Sequence, residues 1–215
     1  MTAAQDPAER VIAETERWLE RAVIGLGLCP FAERVHRRKL IRYRVSAHAS
    51  TAGLLDELCE ELLHLRDTDP RVCETTLLIH PWVLGDFADY NQFLDEADAT
   101  LLSLGLSDEL QIASFHPHYR FAGTGSDDVD NYTNRSPHPM LHLLRQASVT
   151  RAVTTFPAVT EIGARNVATL RALGLAGWRA LWSDAESVMG PHAIPAGPCN
   201  DAPEHQPHPP AGVRS

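Results

Sequence analysis

Two apolar runs in this chain end on the same dipeptide, and that repetition constrains the fold more than any other feature. Thr75-Thr76-Leu77-Leu78-Ile79 runs into His80-Pro81, and Leu110-Gln111-Ile112-Ala113-Ser114-Phe115 runs into His116-Pro117. Each run has the length and apolar content of a strand, and each proline, lacking an N–H, ends the ladder. Between them Asp86 precedes Phe87, Tyr90, Leu94, Ala97 and Leu101, the spacing of a capped helix with one buried face, and Gly105 closes it. Upstream, Ile41, Tyr43 and Val45 alternate with arginines as in a half-exposed strand at or near a sheet edge. Ser50 or Thr51 then caps a helix whose inner face is Leu54, Leu55, Leu58, Cys59, Leu62 and Leu63. The order β-α-β-α-β predicts parallel pairing with right-handed crossovers. The expected fold is therefore a single α/β domain with a three- to four-stranded, mostly parallel sheet flanked by helices.

The rest of the chain fits around that unit. Asp6 and Pro7 open a first helix with Val11, Ile12, Thr15, Trp18, Leu19, Ala22, Val23 and Leu26 on one stripe, ended by Gly25 and Gly27. A helix is expected to restart at Ser136, with Met140, Leu141, Leu144 and Val149 inward. It would be followed by an extended stretch Ala152–Phe156 and a last helix from about Thr160 to Leu173, stopped by Gly174. Residues 190–215 hold seven of the fifteen prolines, and Ile194 and Val213 are their only large aliphatic residues. Such a stretch lacks the apolar surface to offset its ordering entropy, so residues 1–189 are read as the domain and 190–215 as a disordered tail.

With 19 Lys and Arg against 28 Asp and Glu the net charge is −9, the wrong sign for a protein that binds nucleic acid through its phosphates. No apolar run reaches membrane-spanning length, and the N-terminus has neither the basic nor the apolar region of a leader. Cys29, Cys59, Cys73 and Cys199 form no CxxC and no disulfide-like framework. The chain reads as cytoplasmic, with no membrane or nucleic-acid partner.

In open α/β sheets ligands bind beyond the carboxyl ends of the strands, so His80 and His116 are expected on one rim. The second strand continues as His116-Pro117-His118, and in extended chain residues i and i+2 point the same way. Three imidazoles there, His80, His116 and His118, are candidate catalytic acid/base groups. Equally they are candidate ligands of a transition metal such as Zn, Fe or Cu, although no HExxH accompanies them. The bland alternative is that each histidine merely caps its strand.

A long segment, Pro117 to Ser136, follows, rich in Gly, Asp and Asn; loops of that length inside a compact domain usually carry function. It supplies Arg120, Asn131 and Arg135 as candidate binding residues, with Ser136 and His138 at the helix start expected to follow. A helix N-terminus beside an arginine favours a carboxylate or phosphate, so the expected partner is a small anionic molecule. Cys29 lies between Gly27 and a helix start at Pro30-Phe31-Ala32, amid Arg34, His36, Arg37 and Arg38. That placement predicts a depressed thiol pKa and a role as nucleophile, redox centre or metal ligand, against the alternative of a buried structural thiol. Six Lys and Arg between Arg34 and Arg44 read mostly as a solvated face. Phosphate-loop, dinucleotide and hydrolase-elbow motifs are absent.

The segments GLGLCPFAERV, LLIHPWVLGDFADYNQFL, IASFHPHYRFAG and DNYTNRSPHPMLHLLR resemble the bacterial family known as domain of unknown function 1415, which also has plant members. The likeness covers roughly residues 8 to 183 and implies a shared fold and site, but no activity. What the residues themselves support is a small-molecule enzyme, metal-dependent or not, or else a non-catalytic binding module for a metal ion or an anionic metabolite.

Overall fold

A computed structural model describes residues 6–155 and 162–183, which form a four-stranded sheet with helices on both faces. In chain order the elements are α1 (Pro7–Trp18), running on through a π-helical turn at Leu19–Ile24, α2 (Ala32–Arg37), β1 (Ile41–Val45) and α3 (Thr51–Asp67). β2 (Thr75–Ile79), α4 (Phe87–Ser103) and β3 (Leu110–Phe115) follow, and then β4 (Met140–Arg145), α5 (Gln146–Thr155) and α6 (Ile162–Ala180). The caps read from sequence are in place. The Asp6 carboxylate accepts from Ala8 N–H, Ser50 Oγ from Gly53 N–H, and the Asp86 carboxylate from the amides of Ala88 and Asp89. Gly105 turns out of α4 at φ 69°, a left-handed conformation that glycine adopts without steric cost.

The sheet is mixed, not mostly parallel. Its order is β1-β2-β4-β3, with β1 and β2 parallel and β4 antiparallel to both of its neighbours. The helix expected from Ser136 is thus a strand. Pro137 and Pro139 bias the residues before them toward extended backbone, and MLHLLR is apolar toward both faces, as a central strand requires. A short apolar run reads equally well as buried helix or buried strand, which is why periodicity misplaced it. The extended stretch expected at Ala152–Phe156 is likewise corrected: Ala152 to Thr155 continue α5, and Phe156 lies outside the described residues. The last helix does break at its expected stop, where Gly174 is non-helical (φ 63°, ψ 173°), and a second helical stretch follows it to Ala180. The residues read as a tail, 190–215, also lie outside the described residues.

Each face of the sheet buries one core. Leu78, Leu141, Leu143, Leu110 and Ile112 pack under α3 and α4 with Leu54, Leu58, Leu62, Tyr90 and Phe93. Leu77, Ile79 and Met140 pack against α1 and its π-helical extension with Val11, Trp18, Leu19 and Ala22. β2 is buried along its whole length, as its uninterrupted apolar run implies, and β1 and β3 are the edges. Two arginines of β1, read from sequence as part of a solvated face, have buried partners on α3. Arg42 makes a bidentate pair with Glu61 at 2.7 and 2.9 Å, and Arg44 donates to Glu57 at 2.6 Å.

α4 is fastened to the sheet by Tyr90. Its hydroxyl donates to Met140 O on β4 at 2.9 Å and accepts from Phe115 N–H on β3 at 3.1 Å. Tyr90→Phe should therefore destabilise the fold by about 1–3 kcal/mol, the cost of leaving buried polar groups unpaired, as measured by urea unfolding. A change within a few tenths of a kcal/mol would show that water takes over both bonds.

Candidate functional site

His80 and His116 do share a rim. β2 and β3 are both antiparallel to β4, so they run in the same direction and their carboxyl ends lie together, separated by the start of β4. Both rings pack against Tyr90, His80 stacked at 5.7 Å between centroids and His116 at 5.0 Å. His80 Nδ1–H donates to Val83 O at 3.1 Å. His116 Nε2–H donates to Leu84 O at 3.1 Å, while its Nδ1 accepts from His118 N–H at 3.0 Å. Because carbonyls only accept and amides only donate, these bonds fix one neutral tautomer for each ring. Burial pushes both histidines down to about 4, so each is uncharged at neutral pH.

Those bonds define what the two imidazoles do. Leu84 is held at φ 60°, a left-handed backbone conformation that costs a residue with a side chain about 1–2 kcal/mol, and His116 anchors its carbonyl. With both nitrogens spent, His116 has no lone pair for a metal and no proton to exchange in this arrangement. His80 Nε2 is buried and has no partner among the described residues. The three expected metal ligands do not converge: no group of three or more His, Cys, Asp or Glu side chains arranged to hold a metal ion occurs among the described residues. His118 turns away to the surface, its ring 5.8 Å from that of His116.

The long loop is ordered by its own polar side chains. Asn131 is fully buried: its Oδ1 accepts from Phe121 N–H and Thr124 Oγ1–H, and its Nδ2 donates to Gly125 O, so it builds the loop instead of facing a ligand. Arg120 is exposed. Asp130 pairs with Arg171, tying the loop to α6. Ser136 caps no helix, since the segment after it is β4; its hydroxyl donates to His138 O at 2.7 Å. His138 in turn pairs with Glu14 of α1 at 2.7 Å. The helix N-terminus expected to hold an anion at Ser136 therefore does not exist.

A pocket nevertheless forms on this side of the rim, with a volume of about 450 Å³. His118, Arg135 and Ser136 line it, so it gathers three of the residues singled out in the sequence. Its other walls were not legible: Trp18 from α1, Tyr132 from the loop, Trp178 from α6 and Trp182 from the turn after it. The four-residue spacing of Trp178 and Trp182, one helical turn, was the available signal. Trp178 meets Tyr132 edge to face at 4.9 Å and Trp182 at 5.7 Å. Arg135 stacks its guanidinium 4.3 Å over the Tyr132 ring and donates to Tyr119 O and Ser126 O, while Trp18 Nε1–H donates to Arg135 O. Arg17 and Glu14 complete the charged part of the wall.

Cys29 is elsewhere. It lines a separate cavity between α1, α2 and the sheet, and its thiol pKa is raised, not depressed. The amides of Phe31 and Ala32 at the helix start do favour the thiolate, as expected, but desolvation by burial outweighs them. The same cavity holds His142, which burial also pushes down to about 4.

The sequence profile of a family described as protein of unknown function (DUF1415) matches residues 10–180. No curated protein and no solved structure matches the chain. No helix among the described residues is long and apolar enough to cross a membrane.

His80, His116 and His142 together set an acid response. A histidine held at about 4 when folded and near its usual 6.5 when unfolded takes up a proton on unfolding between those values. Stability should therefore fall as the pH drops from about 6.5 toward 4, by about 1.4 kcal/mol per pH unit for each histidine titrating in full. Urea unfolding at pH 7 and pH 5 measures it, and equal midpoints would show that these rings are not held neutral.

Proposed function

The chain belongs to the DUF1415 family of proteins of unknown function, and from that premise, which brings no activity with it, we propose that the rim pocket binds a small anionic molecule with a planar apolar body. The observation that carries this reading is the convergence of four aromatic side chains and three basic ones, Arg17, Arg135 and His118, on one cleft beyond the carboxyl end of β3. Aromatic walls recognise a flat apolar body by area and edge-to-face contact. Arginines supply charge and directed donors for a carboxylate or phosphate. Against these arginines the cleft wall sets one carboxylate, Glu14, which is hydrogen-bonded to His138, so Arg17 and Arg135 outnumber it.

Sites of this size and position, mostly apolar with a few polar groups, are where α/β proteins hold small ligands. If the bound molecule is also turned over, the proton carrier is His118. It is the one histidine of the three at the strand ends that is exposed and lines the pocket, whereas His80 and His116 are buried against Tyr90.

Three of the four tryptophans line the pocket, so occupancy is readable by fluorescence. The expected result is that 2-naphthoate quenches the emission and binds by calorimetry, while the uncharged 2-naphthalenemethanol binds about tenfold more weakly. Arg17→Gln should cost about three- to fivefold in naphthoate affinity, the worth of one exposed charge, and Trp178→Ala about tenfold. Equal binding of the acid and the alcohol would sink the anionic reading, and no binding of either would sink the pocket.

A further inference from the structure

The cavity that holds Cys29 lies between α1, α2 and the sheet face that carries Ile41, Leu77, His142, Leu144 and Phe115. Its volume is about 480 Å³, within the range of small-molecule sites. Along most of its length the walls are apolar, contributed by Trp18, Leu19, Val23, Phe31 and Val35 from the helices and by the strand residues from below.

The charges are confined to one end. There Glu74 accepts from Ser148 Oγ–H and lies 3.8 Å from the Arg34 guanidinium, which is half exposed. Arg145 lines the same end and spends its Nη2 donors on three uncharged carbonyls, those of Leu65, Thr68 and Cys73. Hydrogen bonds to carbonyls leave its charge intact. Three arginines, Arg34, Arg145 and Arg151, thus line the cavity with one carboxylate, Glu74.

The body of the cavity adds no charge to this. Thr75 donates its hydroxyl to Leu143 O at 2.6 Å and so accepts from His142 Nε2–H at 2.8 Å, which fixes a neutral imidazole in the floor. Burial keeps that ring and the Cys29 thiol uncharged at neutral pH.

From this geometry we propose that the inner cavity is a second ligand site, taking an amphipathic carboxylic acid with its apolar body along the sheet and its carboxylate at the Arg34 end. Apolar area supplies the affinity of the body, and the excess positive charge selects the head. The site does not depend on the rim-pocket reading. Trp18 is the wall the two cavities have in common, whereas Cys29 lines the inner one alone.

Decanoate, decanol and decylamine separate the possibilities on the full-length protein. Decanoate should bind with one-to-one stoichiometry by calorimetry. It should also raise the melting temperature and slow the alkylation of Cys29 by N-ethylmaleimide, followed peptide by peptide, without slowing that of Cys59. Decanol should bind about tenfold more weakly, decylamine more weakly still, and Arg34→Gln should reduce decanoate to the level of decanol. Val23→Trp, which fills the cavity, should abolish decanoate binding while the circular dichroism spectrum and a cooperative thermal transition certify the fold. Decanoate that fails to bind, or binds without protecting Cys29, overturns the proposal. Equal or tighter binding of decylamine overturns it too, because Glu74 would then be choosing the head group.

Discussion

The hydroxyl of Tyr90 is the contact on which the rim depends. It sits on α4 yet accepts an amide proton from β3 and donates to a carbonyl of β4, while its ring packs against the imidazoles that end β2 and β3. One buried side chain therefore fixes the height of a helix above the sheet and the position of both strand ends. A phenol suits this task because its apolar body can be buried whole and its single polar atom can both give and take a hydrogen bond.

From that fixed end the electrostatics follow. Once His80 and His116 are shut in behind Tyr90, water no longer solvates a charge on them, so they stay neutral and act as directional hydrogen-bonding struts. They hold the Val83–Leu84 turn in place, including a leucine in left-handed conformation. The exposed chemistry passes to the groups they position: the His118 amide bonded to His116, and beyond it the loop whose Arg135 reaches the rim pocket. A second consequence is the partition of the molecule by Trp18, whose indole N–H is fixed to Arg135 O and whose ring meets Phe115 edge to face at 5.4 Å. On one side of it lies an aromatic, basic cleft; on the other, an apolar cavity charged at one end.

Much of this was legible in the residues. Caps at Asp6, Ser50 and Asp86, the parallel β1-α3-β2 unit, the edge position of β1 and the common rim of His80 and His116 all followed from local chemistry and period. Cys59, read as part of the inner face of α3, is only half-buried, because the helix turns Leu54, Leu58, Leu62 and Leu65 inward instead. What failed did so for identifiable reasons. MLHLLR carries apolar residues on both faces, so its period could not distinguish helix from strand, and with the wrong choice went an anion site at Ser136. Cys29 does have two helix-start amides beside it, but whether burial exceeds their effect is decided by chain packed on it from elsewhere.

The sequence by itself determined which segments are helix or strand wherever caps, prolines and a clean period agree, because those signals act within a few residues. Only the tertiary structure decided that β4 enters between β2 and β3 and that Trp178 and Trp182 return from the far end of the described chain to wall a cleft with Trp18. It also decided that three histidines of equal intrinsic basicity divide into two buried struts and one exposed ring. Those outcomes rest on which surfaces exclude water from which atoms, and that is settled by contacts between residues distant in sequence, where no local pattern reaches.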